Sequence, residues 1–77
     1  MMEKKIIKLI EKTLNLNSNK ININSKIGDF KEWDSLGHLN IYFELQKSFK
    51  IDIDLETASK ARSVKDWLMI IKNNKYK

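Results

Sequence analysis

The 77-residue sequence contains no cysteine and no proline, and only two glycines and one histidine. Without cysteine there is no disulfide framework, no thiolate metal site and no redox chemistry carried by the chain itself. A single histidine builds no histidine-rich metal centre, and catalysis that needs a Cys–His pair is excluded. Long apolar runs are also missing, so nothing matches the roughly 20 residues that span a bilayer. The start, Met1 to Lys8, carries a charge every few residues rather than the uninterrupted apolar stretch of a secretory signal. A cytoplasmic protein is expected, with residues 1–77 forming one domain around a single modest core. Such a core is too small to enclose a deep catalytic cleft, and no metal site is expected.

Lysine is what the chain has in excess: 15 Lys+Arg stand against 10 Asp+Glu, a formal charge of +5. Taken as an average, that suggests an anionic partner and a small basic helical module binding nucleic acid or protein. Counting by segment changes the meaning. Residues 1–28 carry net +4, residues 29–58 net −4, and residues 59–77 net +5. The basic stripe Lys4, Lys8 and Lys12 contains neither arginine nor an aromatic group, whereas nucleic-acid recognition normally interleaves such groups with charge. A solvated helix face accounts for it, and no nucleic-acid partner is expected.

Apolar spacing places the helices. Ile6, Ile7, Ile10 and Leu14 recur at three and four residues and predict a helix over about 2–14. Residues 15–33 hold five Asn, two Ser and Gly28, which is loop composition. Yet Leu16, Ile21, Ile23, Ile27, Phe30 and Trp33 run through them, so this is a long structured loop pinned by its own side chains. Asp34 then stands as an N-cap before Leu36, Leu39, Tyr42, Phe43, Leu45 and Phe49, which predict a largely buried second helix over about 35–49. Tyr42, Phe43, Phe49 and Trp67 are most simply core. Ile51, Ile53 and Leu55 alternate with Asp52 and Asp54, but five acid-rich residues without a second strand suit a connection better than a β-segment. A short helix is expected at about 57–61. Ser63 with Asp66 makes a capping box ahead of a last helix over about 64–74, with Lys72 and Lys75 suited to the negative end of its dipole. The expected fold is all-α: a small four-helix bundle, three long helices plus one short.

One constellation carries chemistry. Glu32-Trp33-Asp34-Ser35-Leu36-Gly37-His38-Leu39 sets a serine at the first position of the most apolar helix, where backbone N–H groups are unpaired and an anion is favoured. Asp and Ser are also ordinary helix-start residues, so the triplet alone is weak. A Ser–His nucleophile one turn apart would need an orienting group, an oxyanion hole and a substrate pocket, which a chain of this length scarcely provides. His38 is instead expected to be exposed, facing a partner or whatever Ser35 carries.

The Asp34-Ser35-Leu36 triplet, the apolar helix after it, Phe49-Lys50-Ile51-Asp52-Ile53, and Ala58, Lys60 and Ser63-Val64 together resemble the acyl carrier proteins over essentially the whole chain. The resemblance implies a monomeric carrier rather than an enzyme, with no catalytic residues. Ser35 would receive 4′-phosphopantetheine from coenzyme A through a separate phosphopantetheinyl transferase, and the arm's thiol would hold acyl groups as thioesters. Asp34 would cap the helix and help orient the transferase complex, and Leu36 would lie where the transferase docks. Acyl-loading and acyl-transferring enzymes of fatty-acid or specialised acyl metabolism are the implied partners. Trp33, His38, Glu44, Asp52, Asp54 and Glu56 are the candidate contacts for them. Two departures stand out: Glu32 and Trp33 occupy an approach where many family members have glycine, and the helix after Ser35 carries Glu44 as its only acid. The Trp-Asp-Ser-Leu-Gly-His form is similar to carriers of specialised pathways. The competing reading is the basic interaction module, with Ser35 unmodified.

Overall fold

The computed structural model describes residues 2–17 and 20–74. Four helices follow in order: α1 Met2–Leu14, α2 Ser35–Phe49, α3 Leu55–Lys60 and α4 Val64–Asn74. Helix α3 begins two residues before the expected Thr57, because Asp54 is its N-cap and accepts from Thr57 N–H at 3.1 Å. Lys75 lies outside the described residues. Among the described residues, no helix is long and apolar enough to cross a membrane.

The apolar spacing becomes one core. Ile6, Ile10 and Leu14 of α1 meet Ile41 and Leu45 of α2, Ala58 of α3, and Val64, Trp67 and Ile71 of α4, all essentially inaccessible to water. Burial of such side chains stabilises by about 1.5–3 kcal/mol each, which is how four short helices hold together without a covalent staple.

Helix ends are closed by side chains and by left-handed residues. After α1, Asn15 adopts φ 58° and Leu16 N–H returns to Glu11 O at 2.8 Å. After α2, Lys50 adopts φ 56° and Ile51 N–H returns to Gln46 O. Both are left-handed C-caps, built here without glycine. At α4 the capping box forms in both directions: Asp66 N–H donates to Ser63 Oγ at 3.1 Å, and Ser63 N–H donates to Asp66 Oδ2 at 3.2 Å.

The long loop is tied to the α3–α4 junction. Ile27 N–H donates to Arg62 O, Val64 N–H to Ser25 O, and Lys65 N–H to Ile23 O, with one antiparallel bridge between Lys26 and Ser63. Ile21 and Trp33 sink into the core, and Leu16, Ile23, Ile27 and Phe30 pack against it. A chain path that looks like linker in composition therefore arrives at Asp34 and Ser35 on a fixed course.

Candidate functional site

The start of α2 is built by three local bonds. Asp34 sits in extended backbone and its Oδ1 accepts from Gly37 N–H at 2.9 Å, closing the first turn. The Asp34 carbonyl accepts from His38 N–H at 2.8 Å, the first bond of the helical ladder. Ser35 is thereby held at the first helical position with its residue surface exposed, and Leu36 beside it is 66% exposed. The remaining N–H groups of this turn have no intrahelical partner and give the position its preference for negative charge.

Gly37 has a role that residue type alone does not announce. A Cβ at this position would overlap the Glu32 carbonyl oxygen and come within 2.9 Å of Leu14 Cδ2. The missing side chain lets α2 approach the loop and α1 closely at this point.

His38, one turn beyond Ser35, is not the exposed residue expected from its place near the helix start. It lies half-buried between two tryptophans, its ring centroid 6.2 Å from that of Trp33 and 5.1 Å from that of Trp67. Trp33 donates Nε1–H to His38 Nδ1 at 3.0 Å, so the proton of the neutral ring belongs on Nε2. That nitrogen is buried and turned toward the Ala58 and Ala61 carbonyls without a well-formed hydrogen bond to either. Burial holds the histidine pKa below its ordinary 6.5; the two carbonyls oppose that shift and the positive charge of Arg62 adds to it. Trp33 is fully buried and offers no surface to a partner. Both residues are internal pins joining the loop, α2, α3 and α4, because the Trp33 indole finds its buried acceptor on α2.

The remaining candidates are on the outside. Asp52, Asp54 and Glu56 are exposed along the edge of α3, and Glu44 is half-buried on the α1 side of α2. Asp54 spends its carboxylate on the Thr57 N–H and hydroxyl, and Glu56 pairs with Lys60 at 3.6 Å. Tyr42 and Gln46 fasten the segment before α3 to α2: Tyr42 Oη donates to Ile53 O at 2.6 Å, and Ile53 N–H donates to Gln46 Oε1 at 2.8 Å. Between α2 and α3 this leaves a pocket of about 170 Å³ lined by Ser35, His38, Leu39, Tyr42, Leu55, Ala58 and Ser59. Its wall is almost wholly apolar, and the serine stands at its rim.

No model of a protein family matches the chain. It is 31% identical over 74 residues to an acyl carrier protein of Rickettsia bellii, an alignment covering 96% of this chain and 86% of the relative. The chain belongs to the acyl carrier protein family. An acyl carrier protein of a second Rickettsia bellii strain is 30% identical over 74 residues, covering 96% of this chain and 91% of that one. Among solved structures, the holo acyl carrier protein of Geobacter metallireducens matches the fold with a TM-score of 0.84 at 20% identity, over 96% of this chain and 85% of that one. A Mycobacterium tuberculosis protein assigned as an acyl carrier matches equally well, with a TM-score of 0.84 at 26% identity over 95% of this chain and 97% of that chain. Proteins of this family are non-catalytic carriers.

As an acyl carrier, the chain has its aromatic residues in an unexpected distribution. Trp67 is in the core, Tyr42 and Phe49 are half-buried, and Phe43, expected in the core, is 54% exposed on the outer face of α2. That face holds apolar side chains on more of its circumference than the bundle can cover.

Proposed function

We propose that Ser35 is the residue on which this carrier bears a 4′-phosphopantetheine arm, installed from coenzyme A by a separate phosphopantetheinyl transferase. The observation that carries the reading is the exposed serine at the first position of α2, at the rim of an apolar pocket and ahead of a helix N-terminus. When bound, the arm supplies the thiol on which acyl groups ride as thioesters, chemistry that a chain without cysteine does not otherwise offer.

The residues around Ser35 suit that load. The first turn of α2 favours a phosphodiester on the serine oxygen through its dipole and unpaired N–H groups. Asp34, fixed by its bond to Gly37, caps the turn and stands beside the serine where a transferase must approach. Leu36 offers that enzyme an apolar contact. Leu39, Tyr42, Leu55 and Ala58 give the open pocket between α2 and α3 an apolar lining. Its volume is close to the roughly 150 Å³ of a cavity that accommodates benzene, which suits a short acyl group.

The partners in this reading are acyl-loading and acyl-transferring enzymes of the cytoplasm. Asp52 and Glu56 are carboxylates they would meet beside α3, and Glu44 one they would meet beside α1. The outer face of α2 lacks acids, which supports a carrier of a specialised pathway over one read by enzymes with basic patches. Intact-protein mass before and after incubation with coenzyme A and a transferase, for wild type and Ser35→Ala, is the test.

A further inference from the structure

Two bridges nest around Ser35. The inner one runs from the Gly37 N–H to Asp34 Oδ1 across 2.9 Å and caps α2. The outer one runs from the Trp33 indole N–H to His38 Nδ1 across 3.0 Å, starting from a fully buried side chain. Ser35 and Leu36 are the residues that both bridges enclose. Trp33 is also tied on its loop side: its N–H donates to Phe30 O at 3.0 Å, and its carbonyl accepts from Gly28 N–H at 2.9 Å. The Trp67 ring backs His38 at 5.1 Å between centroids. The passage from loop to helix, with the serine on it, is therefore closed by a bond inside the protein.

The outer bridge needs a neutral imidazole, and the surroundings of the ring favour one. The loop and α4 present indoles to it, and α3 presents the Ala58 and Ala61 carbonyls. Tyr42 of α2 lines the same pocket, with its hydroxyl given to Ile53 O. Asp34 gives its carboxylate to the cap, and Arg62 carries the same sign as a protonated ring. No carboxylate is set against the ring to hold a proton on it.

We propose that neutral His38 is a positioning residue for attachment of the arm: through Trp33 it fixes where the Ser35 hydroxyl stands, and its protonation sets an acid limit on loading. The proposal rests on the carrier reading and adds how the site is held. In the transfer, a bond forms from Ser35 Oγ to phosphorus while the bond from that phosphorus to the adenosine bisphosphate part of coenzyme A breaks. The hydroxyl proton passes to a base on the transferase. His38 is not that base, because Nδ1 spends its lone pair on Trp33 and Nε2 carries the proton and is buried. A transferase docked on the surface turn cannot replace a buried bond, so its loss persists in the bound complex.

Initial rates of loading, with coenzyme A and a broad-specificity transferase, test this on variants shown to be folded by circular dichroism. His38→Leu and Trp33→Phe each lower kcat about tenfold with a smaller change in KM, as a misplaced reacting atom requires. Mere loss of folded carrier would instead raise the apparent KM and leave kcat alone. The double variant is no slower than the slower single one, because both substitutions break the same bond. His38→Asn, whose amide oxygen can accept from Trp33, recovers most of kcat and does not titrate. The ratio of wild-type to His38→Asn rates cancels the pH dependence of the transferase. That ratio is flat near neutral pH and falls as pH drops below about 6.5. Unchanged kcat in His38→Leu and Trp33→Phe, an additive double variant, or a ratio indifferent to pH overturns the proposal. If His38→Leu does not fold, Trp33→Phe and the pH ratio decide. Wild type that loads normally while the variants match it sinks the positioning role alone, whereas wild type that takes no arm at any pH sinks the carrier reading with it.

Discussion

Trp33 donates its indole N–H to Nδ1 of His38 across 3.0 Å, and the bond spans the break between the long loop and the helix that bears Ser35. It requires a neutral imidazole, because a protonated ring has no lone pair on Nδ1 to accept with. Burial works in the same direction and lowers the histidine pKa in the folded state. The unfolded chain therefore takes up the proton first as pH falls below about 6.5. Folding stability is complete above that pH and declines as pH drops toward the lowered folded-state value. Urea unfolding between pH 7.5 and about 5.5 should show this decline in wild type, and a flatter profile in His38→Gln, which cannot titrate.

Gly37→Ala should destabilise the fold by about 1–3 kcal/mol, the usual range for inserting a group into a packed site. The added methyl meets the Glu32 backbone carbonyl, which cannot swing aside, and a Leu14 methyl that is packed in the core. Thermal unfolding checks the loss. Chemical shifts around Ser35 should move with it, since the same contact sets how α2 sits on the loop.

Tyr42→Phe removes the donor to Ile53 O and should cost about 1 kcal/mol. Gln46→Ala removes the acceptor for Ile53 N–H and should cost a similar amount. Both bonds hold the same residue, so the double variant should depart from additivity. Amide exchange would register the change as faster opening at Ile53 and along α3.

Asp34→Ala should cost about 0.5–2 kcal/mol through loss of the cap, while Asp34→Asn keeps an acceptor oxygen and should stay close to wild type. Measuring both by urea unfolding separates the cap from the charge. A loading defect in Asp34→Asn without a stability defect then assigns the carboxylate a part in transferase docking.

Much of the fold was legible because the core repeats at helical spacing. Ile6, Ile10 and Leu14 on α1, and Val64, Trp67 and Ile71 on α4, are the buried stripes that their spacing predicts. The Ser63–Asp66 capping box was readable as a motif and forms in both directions. The start of α3 was not, since Asp54 lies inside an Ile-Asp-Ile-Asp-Leu alternation that imitates a strand and hides an N-cap. Spacing alone puts Phe43 in the core, yet it is exposed, because α2 has apolar residues nearly all round and periodicity then no longer tells inside from outside. The place of His38 depended on a buried indole arriving from the loop and on carbonyls at Ala58 and Ala61, contacts that no local pattern encodes. Gly37 carried one available signal, a helix-breaking residue tolerated in the first turn of an apolar helix, where close packing is the usual reason.

The central claim, that Ser35 bears the arm, is tested most directly by intact-protein mass spectrometry after incubation with coenzyme A and a broad-specificity phosphopantetheinyl transferase. Wild type should gain the mass of one phosphopantetheine, and Ser35→Ala, folded by circular dichroism, should gain none. An unchanged mass in wild type, or an equal gain in Ser35→Ala, would contradict the account.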